Sequence, residues 1–510
     1  MGPDACQSET CEQMRMGKSI GSTRFTQEDI RLFNDRLDES LLALEQMLAT
    51  PGFGKGDSSI GAELELYIID ESGKALPLSK ALLDTAEDER LTPEINQYNL
   101  EANLSPGLMS GTPLRRIEDE MLEILASLNT LASEQGARVL PIGILPTLRP
   151  CDLTRDMMTP DKRYQALSKE LRERRGEKFR IRLKGCEQLD FGTDSVTPEG
   201  ANTSLQVHYR AHPDRFVDLY NAIQLVTPLA LGLAVNSPFV LGREIWQESR
   251  IELFRQSIDG RSRRRRRLGL PARVNFGHGW LRRSALELFA ESVHLFEPLL
   301  PVCSDECPMQ MLRQGQMPEL SEMALQVGTT WPWNRVVYDP HEQGHVRIEL
   351  RALSAGPSPI DMVSNAGFAL GLAEGLMDDI EQLLPCIPYA SLERNLKEAA
   401  CHGMDAELLW PSRVTRRLES YPLVDIVRNL MPVADRGLQN AGVADEDRLR
   451  ALHCIEQRIA AGQTGASWQV ESSRRYRDAG LSRKKALRRM VNDYAQLSLS
   501  NSPVADWPLP

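Results

Sequence analysis

Apolar and polar positions alternate through four stretches of the chain, which predicts four β-strands because successive side chains on a strand point to opposite faces. In GAELELYIID (61–70), Leu64, Leu66 and Ile68 take one side and Glu63 and Glu65 the other. In YNLEANLS (98–105), Tyr98, Leu100, Ala102 and Leu104 oppose Asn99, Glu101 and Asn103. TSLQVHYR (203–210) sets Leu205, Val207 and Tyr209 against Gln206, His208 and Arg210. HVRIELRAL (345–353) sets Val346, Ile348 and Leu350 against Arg347, Glu349 and Arg351. Other stretches carry the helical period. Ile30, Phe33, Leu37, Leu41, Leu44 and Leu48 recur at helical spacing behind Thr26, which pairs with Asp29 in a capping-box pattern. Thr112-Pro113 announces another helix, with Thr112 as its cap and Ile117, Met121, Ile124, Leu125 and Leu128 as its apolar stripe. The last hundred residues are mostly helical in pattern, and no repeat of fixed period occurs.

Four such strands predict an α+β fold whose antiparallel or mixed sheet packs helices on one face and lines a polar cavity with the other. One polar strand face is ordinarily just solvated. Four together place Glu63, Glu65, Glu101 and Glu349 on the same face, where they repel one another unless cations sit among them. Magnesium, a hard cation that takes carboxylate oxygens and substrate phosphates together, suits that face. Arg210, Arg347 and Arg351 on the same strands offer paired donors for carboxylate or phosphate oxygens.

Composition narrows the classes further. Over 510 residues, 41% hydrophobic and 26% charged is globular usage, and a net charge of −11 argues against a nucleic-acid backbone as partner. Nine cysteines without a C-x-x-C pair point to a reduced compartment rather than a disulfide framework. Residues 1–24 read as a flexible tail with no apolar signal segment. The apolar run AIQLVTPLALGLAV (222–235) is short for a bilayer and reads as a buried helix, so a cytoplasmic protein with no membrane partner is expected. RSRRRRR (261–267) reads first as a solvated loop and second as an anion or phosphate site. No P-loop and no G-x-S-x-G elbow occurs, so any nucleotide is held without a glycine-rich loop.

In this order, GAELELYIID, INQYNLEANLSP, SLQVHYR, LAVNSPFVLGRE, TTWPWNR and HVRIELRAL resemble the glutamate-cysteine ligase type 2 group, which includes ATP-dependent carboxylate-amine ligases. ERNLKEAACHGMDAEL (393–408) is similar to a further block of that group, so the resemblance runs from about residue 60 to 410. It implies a glutamine-synthetase-like catalytic fold, a curved, mainly antiparallel sheet with helices on one face and the ATP and magnesium site on the other. By motif, the resemblance implies metal ligands at Glu63, Glu65, Glu101 and Glu349, and a histidine near metal and phosphates at His208. It further implies phosphate or active-site arginines at Arg351 and Arg335, and a substrate-carboxylate arginine at Arg250. Arg210 is read as a second substrate-binding arginine and Arg347, with Arg351, as nucleotide-binding. The chain departs from the group in three places: Gly61-Ala62-Glu63-Leu64-Glu65 keeps the alternating acids without the middle one, Ser249-Arg250 replaces a Ser-Tyr-Arg, and the arginine run 261–267 that follows is unusual for the group.

The implied reaction is ATP-dependent formation of a γ-glutamyl amide through an acyl phosphate, with glutamate as the carboxylate, cysteine as the default amine and glutathione synthesis as the setting. Residues 25–410 are expected to form the catalytic domain and 411–510 a helical extension; a homo-oligomer is left open. Rival readings are a guanidino-kinase-like phosphotransferase, a non-catalytic nucleotide- or anion-binding protein, and a metal-dependent hydrolase. The loops VNFGHGW (274–280) and GTTWPW (328–333) read either as covers of the site or as packed connections.

Overall fold

A computed structural model describes residues 24–510, apart from 211, 413 and 416. The expected tail therefore lies, except for Arg24, outside the described residues. At the centre is a seven-stranded sheet built from β1 (Ser59–Asp70), β2 (Leu91–Pro93), β3 (Asn99–Leu108), β4 (Ala137–Leu140), β5 (Leu205–Arg210), β6 (Asn334–Asp339) and β7 (His345–Leu350). Its order is β6-β7-β5-β1-β3-β2, with β4 also paired to β1, and every pairing is antiparallel. The register carries the chemistry. Glu65 lies opposite Glu101, Glu63 opposite Gln206, His208 opposite Glu349, and Glu349 opposite Arg335.

Leu64, Leu66, Ile68, Leu100, Ala102, Leu104, Leu205, Val207, Ile348 and Leu350 all enter one buried apolar cluster with α4 (Phe216–Ala234) and α7 (Pro359–Leu376). Burying one face of each strand fixes the register, because a slip of one residue would exchange the carboxylates for leucines in that core. The segment Pro213–Ala234 is long and apolar enough to cross a membrane by length and composition alone, yet 89% of its apolar window is buried inside the fold. Tyr98 departs from the expected alternation. It precedes β3, where Asn99 N–H turns back to the Asn96 carbonyl, and it joins a second cluster on the other side, stacked on Tyr67 at 5.8 Å.

Helix α1 (Gln27–Leu48) begins as its sequence predicts: Asp29 N–H donates to Thr26 Oγ1 at 3.1 Å and Thr26 N–H to the Asp29 carboxylate at 2.7 Å. Helix α2 (Pro113–Ser133) does not. Thr112 makes no side-chain cap, and the Asp447 carboxylate, from a distant helix, accepts from Leu114 N–H and Arg115 N–H at 2.9 and 3.0 Å. A negative charge at the N-terminus also complements the helix dipole. Between β4 and β5 lie α3 (Lys162–Arg175) and a two-stranded ribbon, Phe179–Lys184 with Gln188–Thr193. Beyond α4 come α5 (Arg250–Ser257) and the short α6 (Arg263–Arg267), which is a helix where the sequence reading expected a loop. The two candidate cover loops pair with each other at Val274–Trp331 and bury Phe276, Trp331 and Trp333, so they are packed connections.

The chain ends in α8 (Leu423–Asn440), α9 (Asp445–Ala461), α10 (Gly465–Asp478) and α11 (Arg483–Leu499). Trp468 of α10 and Tyr494 of α11 enter the cluster that holds Tyr67 and Tyr98. From α9, Arg458 reaches across the core to the Asp361 carboxylate of α7 at 2.7 Å and the Leu233 carbonyl of α4 at 3.0 Å. Both charges are buried, at 1% and 0% exposure. Removing one partner of such a pair strands the other, so Arg458→Ala is expected to cost about 3–5 kcal/mol in chemical denaturation, without touching the polar face of the sheet.

Candidate functional site

The polar face of the sheet gathers two groups of metal-capable side chains. In the first, one ligand atom from each of Glu63, His208 and Glu349 lies within 4.8 Å of the others; in the second the same holds for Glu65, Glu94 and Glu101. Strand pairing explains both: β5 stands between β1 and β7 to build the first, and β1 with β3 builds the second, beside the loop that follows β2.

The first group is compensated by cations. Arg335, on β6, grips Glu349 in a fork, Nε to Oε2 at 2.5 Å and Nη2 to Oε1 at 3.0 Å. Arg351 donates to the same Oε1 and to Gln206. Burial alone would raise the Glu349 carboxyl, yet the two arginines hold it far below the usual carboxylate range. Glu63 is likewise lowered: burial opposes its charge, and His208 outweighs that cost. The His208 Nε2 lies 2.9 Å from Glu63 Oε1, and its Nδ1 accepts from Arg347 Nε at 3.1 Å. Arginine can only donate, so Nδ1 is the bare nitrogen and Nε2–H points at Glu63. For Nε2 to bind a metal, the ring proton would move to Nδ1 and Arg347 would fall back on Asp339, which it already holds at 2.6 Å.

The second group is compensated only in part, by arginines that do not bond to it. Glu65 accepts from Ser204 N–H and the Gln206 amide, both at 2.7 Å, but burial pushes it up to about 7 against the pull of Arg351. Burial and the charges of Glu63 and Glu65 push Glu101 up to about 8. Glu94 is raised well above its ordinary value by burial and by Glu101. Close by in charge, Glu199 is pushed up to about 8 by burial and Glu65, and its Oε2 is buried without a hydrogen-bond partner. Carboxylates crowded together with an orphaned buried oxygen are the donor set that a hard divalent cation stabilises. The residues present therefore fit magnesium, most strongly at Glu65, Glu94 and Glu101.

Of the residues expected from sequence, Glu63, Glu65, Glu101, His208, Glu349, Arg335, Arg347 and Arg351 come together on this face. Two stand apart. Arg210 lies at the end of β5, bonded to Glu342 at 2.5 Å and to the Lys55 carbonyl at 3.1 Å. Arg250 opens α5 at 1% exposure, with its Nε on Glu248 at 3.0 Å, its Nη2 on the Ala352 carbonyl at 2.5 Å and its guanidinium over Trp333. Sequence reading passed over Glu94 and Glu199. Glu94 stands one residue ahead of the INQYNLEANLSP segment, and Glu199 sits in a four-residue helix, so neither belongs to a periodic run that would have marked its face.

Known proteins are similar to the chain in sequence and in fold. The model of Glutamate-cysteine ligase family 2 (GCS2) matches residues 59–271. A Frankia alni protein named "Putative glutamate–cysteine ligase 2-1" is 22% identical over 389 residues, covering 74% of this chain and 83% of its own. The solved glutamate–cysteine ligase of Francisella tularensis, in complex with AMP, superposes with a TM-score of 0.53 at 13% identity, over 90% of this chain and 91% of that one. A bifunctional glutathione synthetase of Pasteurella multocida matches at a TM-score of 0.45 and 10% identity, over 91% of this chain and 56% of that one. Residues 59–271, which carry the paired carboxylates of β1 and β3 and the histidine of β5, are thus similar to glutamate-cysteine ligase family 2, and the fold around them is that of the solved Francisella tularensis enzyme.

Proposed function

We propose that this protein is a ligase that uses ATP and magnesium to join the γ-carboxylate of glutamate to an amine, with cysteine as the default acceptor, in the cytoplasm. The observation that carries the reading is the pair of carboxylate groups on one sheet face, one neutralised by Arg335 and Arg351 and the other with no arginine bonded to it and its acids still raised against the more distant pull of Arg351. Glu65, Glu94 and Glu101, and secondarily Glu63, His208 and Glu349, would hold magnesium, which supplies charge neutralisation for the polyphosphate. Arg335 and Arg351 are assigned to the transferring phosphoryl oxygens, where donors preset by Glu349 need no reorganisation as charge develops. Arg347 is assigned to the nucleotide phosphates and Arg210, whose Nε is buried without a partner, to a substrate carboxylate, whereas Arg250, 1% exposed and spent on Glu248 and the Ala352 carbonyl, is assigned a structural role in place of the substrate contact expected from its motif.

A γ-carboxylate oxygen of glutamate attacks the γ-phosphorus of ATP and ADP leaves. The amine then attacks the acyl carbon, the C–O bond to phosphate breaks, and the departing phosphate takes the amine's proton. Residues 25–410 supply this chemistry, and residues 411–510 are proposed to act as a buttress behind it. The test is a mass-spectrometric screen of the purified chain with ATP, magnesium, glutamate and a panel of amines. A condensed product with ADP is expected. A phosphorylated product without condensation would replace the reading with a phosphotransferase, and turnover without ATP with a hydrolase.

A further inference from the structure

The arginine run is absorbed by nothing in the ligase reading, and the fold builds a groove around it. In the strand Phe179–Lys184, Phe179, Ile181 and Leu183 are buried while Arg180 and Arg182 face outward, as alternation requires. The end of α3 brings Arg175, the end of α5 brings Arg255, and α6 brings Arg263 and Arg266. The resulting groove encloses about 900 Å³ and is lined by eight lysine and arginine side chains against three carboxylates, Glu177, Asp190 and Asp259. None of the metal-capable residues of the sheet lines it. So a chain of net charge −11 concentrates positive charge in one concavity.

The three acids are already used. Glu177 takes Arg263 at 2.8 Å and Arg266 at 2.7 Å, Asp190 takes Arg180 at 2.8 Å and Arg182 at 3.3 Å, and Asp259 takes Arg261 at 2.8 Å. Arg175 gets no carboxylate among the described residues. It is 8% exposed, donates Nη1 to the Asp259 carbonyl at 2.6 Å, lies over the Phe179 ring at 5.2 Å, and leaves its Nε without a partner. Burial, with Arg266 next to it, pulls its pKa down from the ordinary arginine value. A recessed guanidinium crowded by another cation, with a donor unspent, is stabilised by an anion.

We propose that this groove is an anion site, separate from the carboxylate face, that takes a small molecule bearing two or more linked phosphate groups. The volume is that of a small-molecule pocket rather than of a polymer track, and the acidity of the whole chain disfavours a nucleic-acid strand. The forks of Arg180, Arg182, Arg263 and Arg266 suit phosphate oxygens, each exchanging a shared carboxylate for a more highly charged ligand.

The test is calorimetric titration of the full chain with inorganic tripolyphosphate in EDTA, where the sheet carboxylates lack metal and repel the probe. One equivalent is expected to bind. The double variant Arg263→Gln, Arg266→Gln is expected to weaken binding at least tenfold with an unchanged circular-dichroism melt, since Arg263 is exposed and glutamine at 266 can still donate to the partners of the partly exposed Arg266. Arg264→Gln with Arg267→Gln, on the same helix but outside the groove, is expected to change it less than twofold, and Glu63→Gln likewise. An ADP arm separates nucleotide from bare phosphate chain, and tighter or equal binding of ADP upholds the site in either form. No binding, equal loss in the two double variants, loss in Glu63→Gln, or tighter binding of a single-stranded oligonucleotide than of tripolyphosphate would each overturn it.

Discussion

Glu349→Ala is expected to abolish amine-dependent ADP release and, in the same protein, to lower folding stability by about 3–5 kcal/mol. Glu349 is fully buried, and its two oxygens hold both Arg335 and Arg351. Without it, two recessed guanidinium groups face each other with no carboxylate between them. Arg335 already feels Arg351 as a like charge that burial makes worse. The activity loss follows from the same geometry, because arginines no longer held in place cannot meet developing charge without reorganising; removal of one such preset group costs roughly 10²–10³ in rate. Glu63→Ala separates the two effects. Its partner His208 keeps the bond from Arg347 to its Nδ1, so only one hydrogen bond is left unmade, at about 1–3 kcal/mol, while activity is expected to fall as far. Urea denaturation and coupled ADP assays on both variants read the outcome. Full activity in either one would sink the assignment of this face.

Magnesium is expected to stabilise the wild-type chain against unfolding, by about 2.7 kcal/mol at a hundredfold excess over its dissociation constant. The gain arises where burial and crowding of carboxylates outweigh the pull of Arg351, at Glu65, Glu94 and Glu101. Two signs follow for Glu101→Gln. In EDTA the variant is expected to be at least as stable as the wild type, because one of the mutually repelling acids is gone. In magnesium it is expected to lose most of the added stability, because one oxygen donor is gone too. Denaturation with and without the metal gives all four values. A magnesium effect that is absent in the wild type, or that survives undiminished in Glu101→Gln, would remove the metal from this group.

Much of this face is legible in sequence because a strand has a period of two. Glu63 and Glu65 are marked as sharing a face by Leu64 and Leu66 between and beyond them, and Arg347, Glu349 and Arg351 by Ile348 and Leu350. The same periodicity fails at Tyr98, where the strand has not yet begun, and it is silent about Glu94, which sits in a loop. Caps divide in the same way. Thr26 and Asp29 are three residues apart and close their box locally, whereas the acid that caps α2 comes from Asp447, which no local pattern could announce.

What the sequence determined by itself is therefore whatever depends on neighbours a few residues apart: strand faces, helix stripes, the α1 cap and the acidic balance of the chain. Tertiary structure decided which carboxylates are compensated. Glu349 and Glu101 look alike on their strands, yet one is held between two arginines and the other stands against three acids, because strand order sets β7 beside β6 and β3 beside β1. The arginine run follows the same rule. Its charge is plain in the sequence, but only the meeting of α3, the ribbon, α5 and α6 turns that charge into a groove, since electrostatic energy depends on distances in space between groups that the chain keeps far apart.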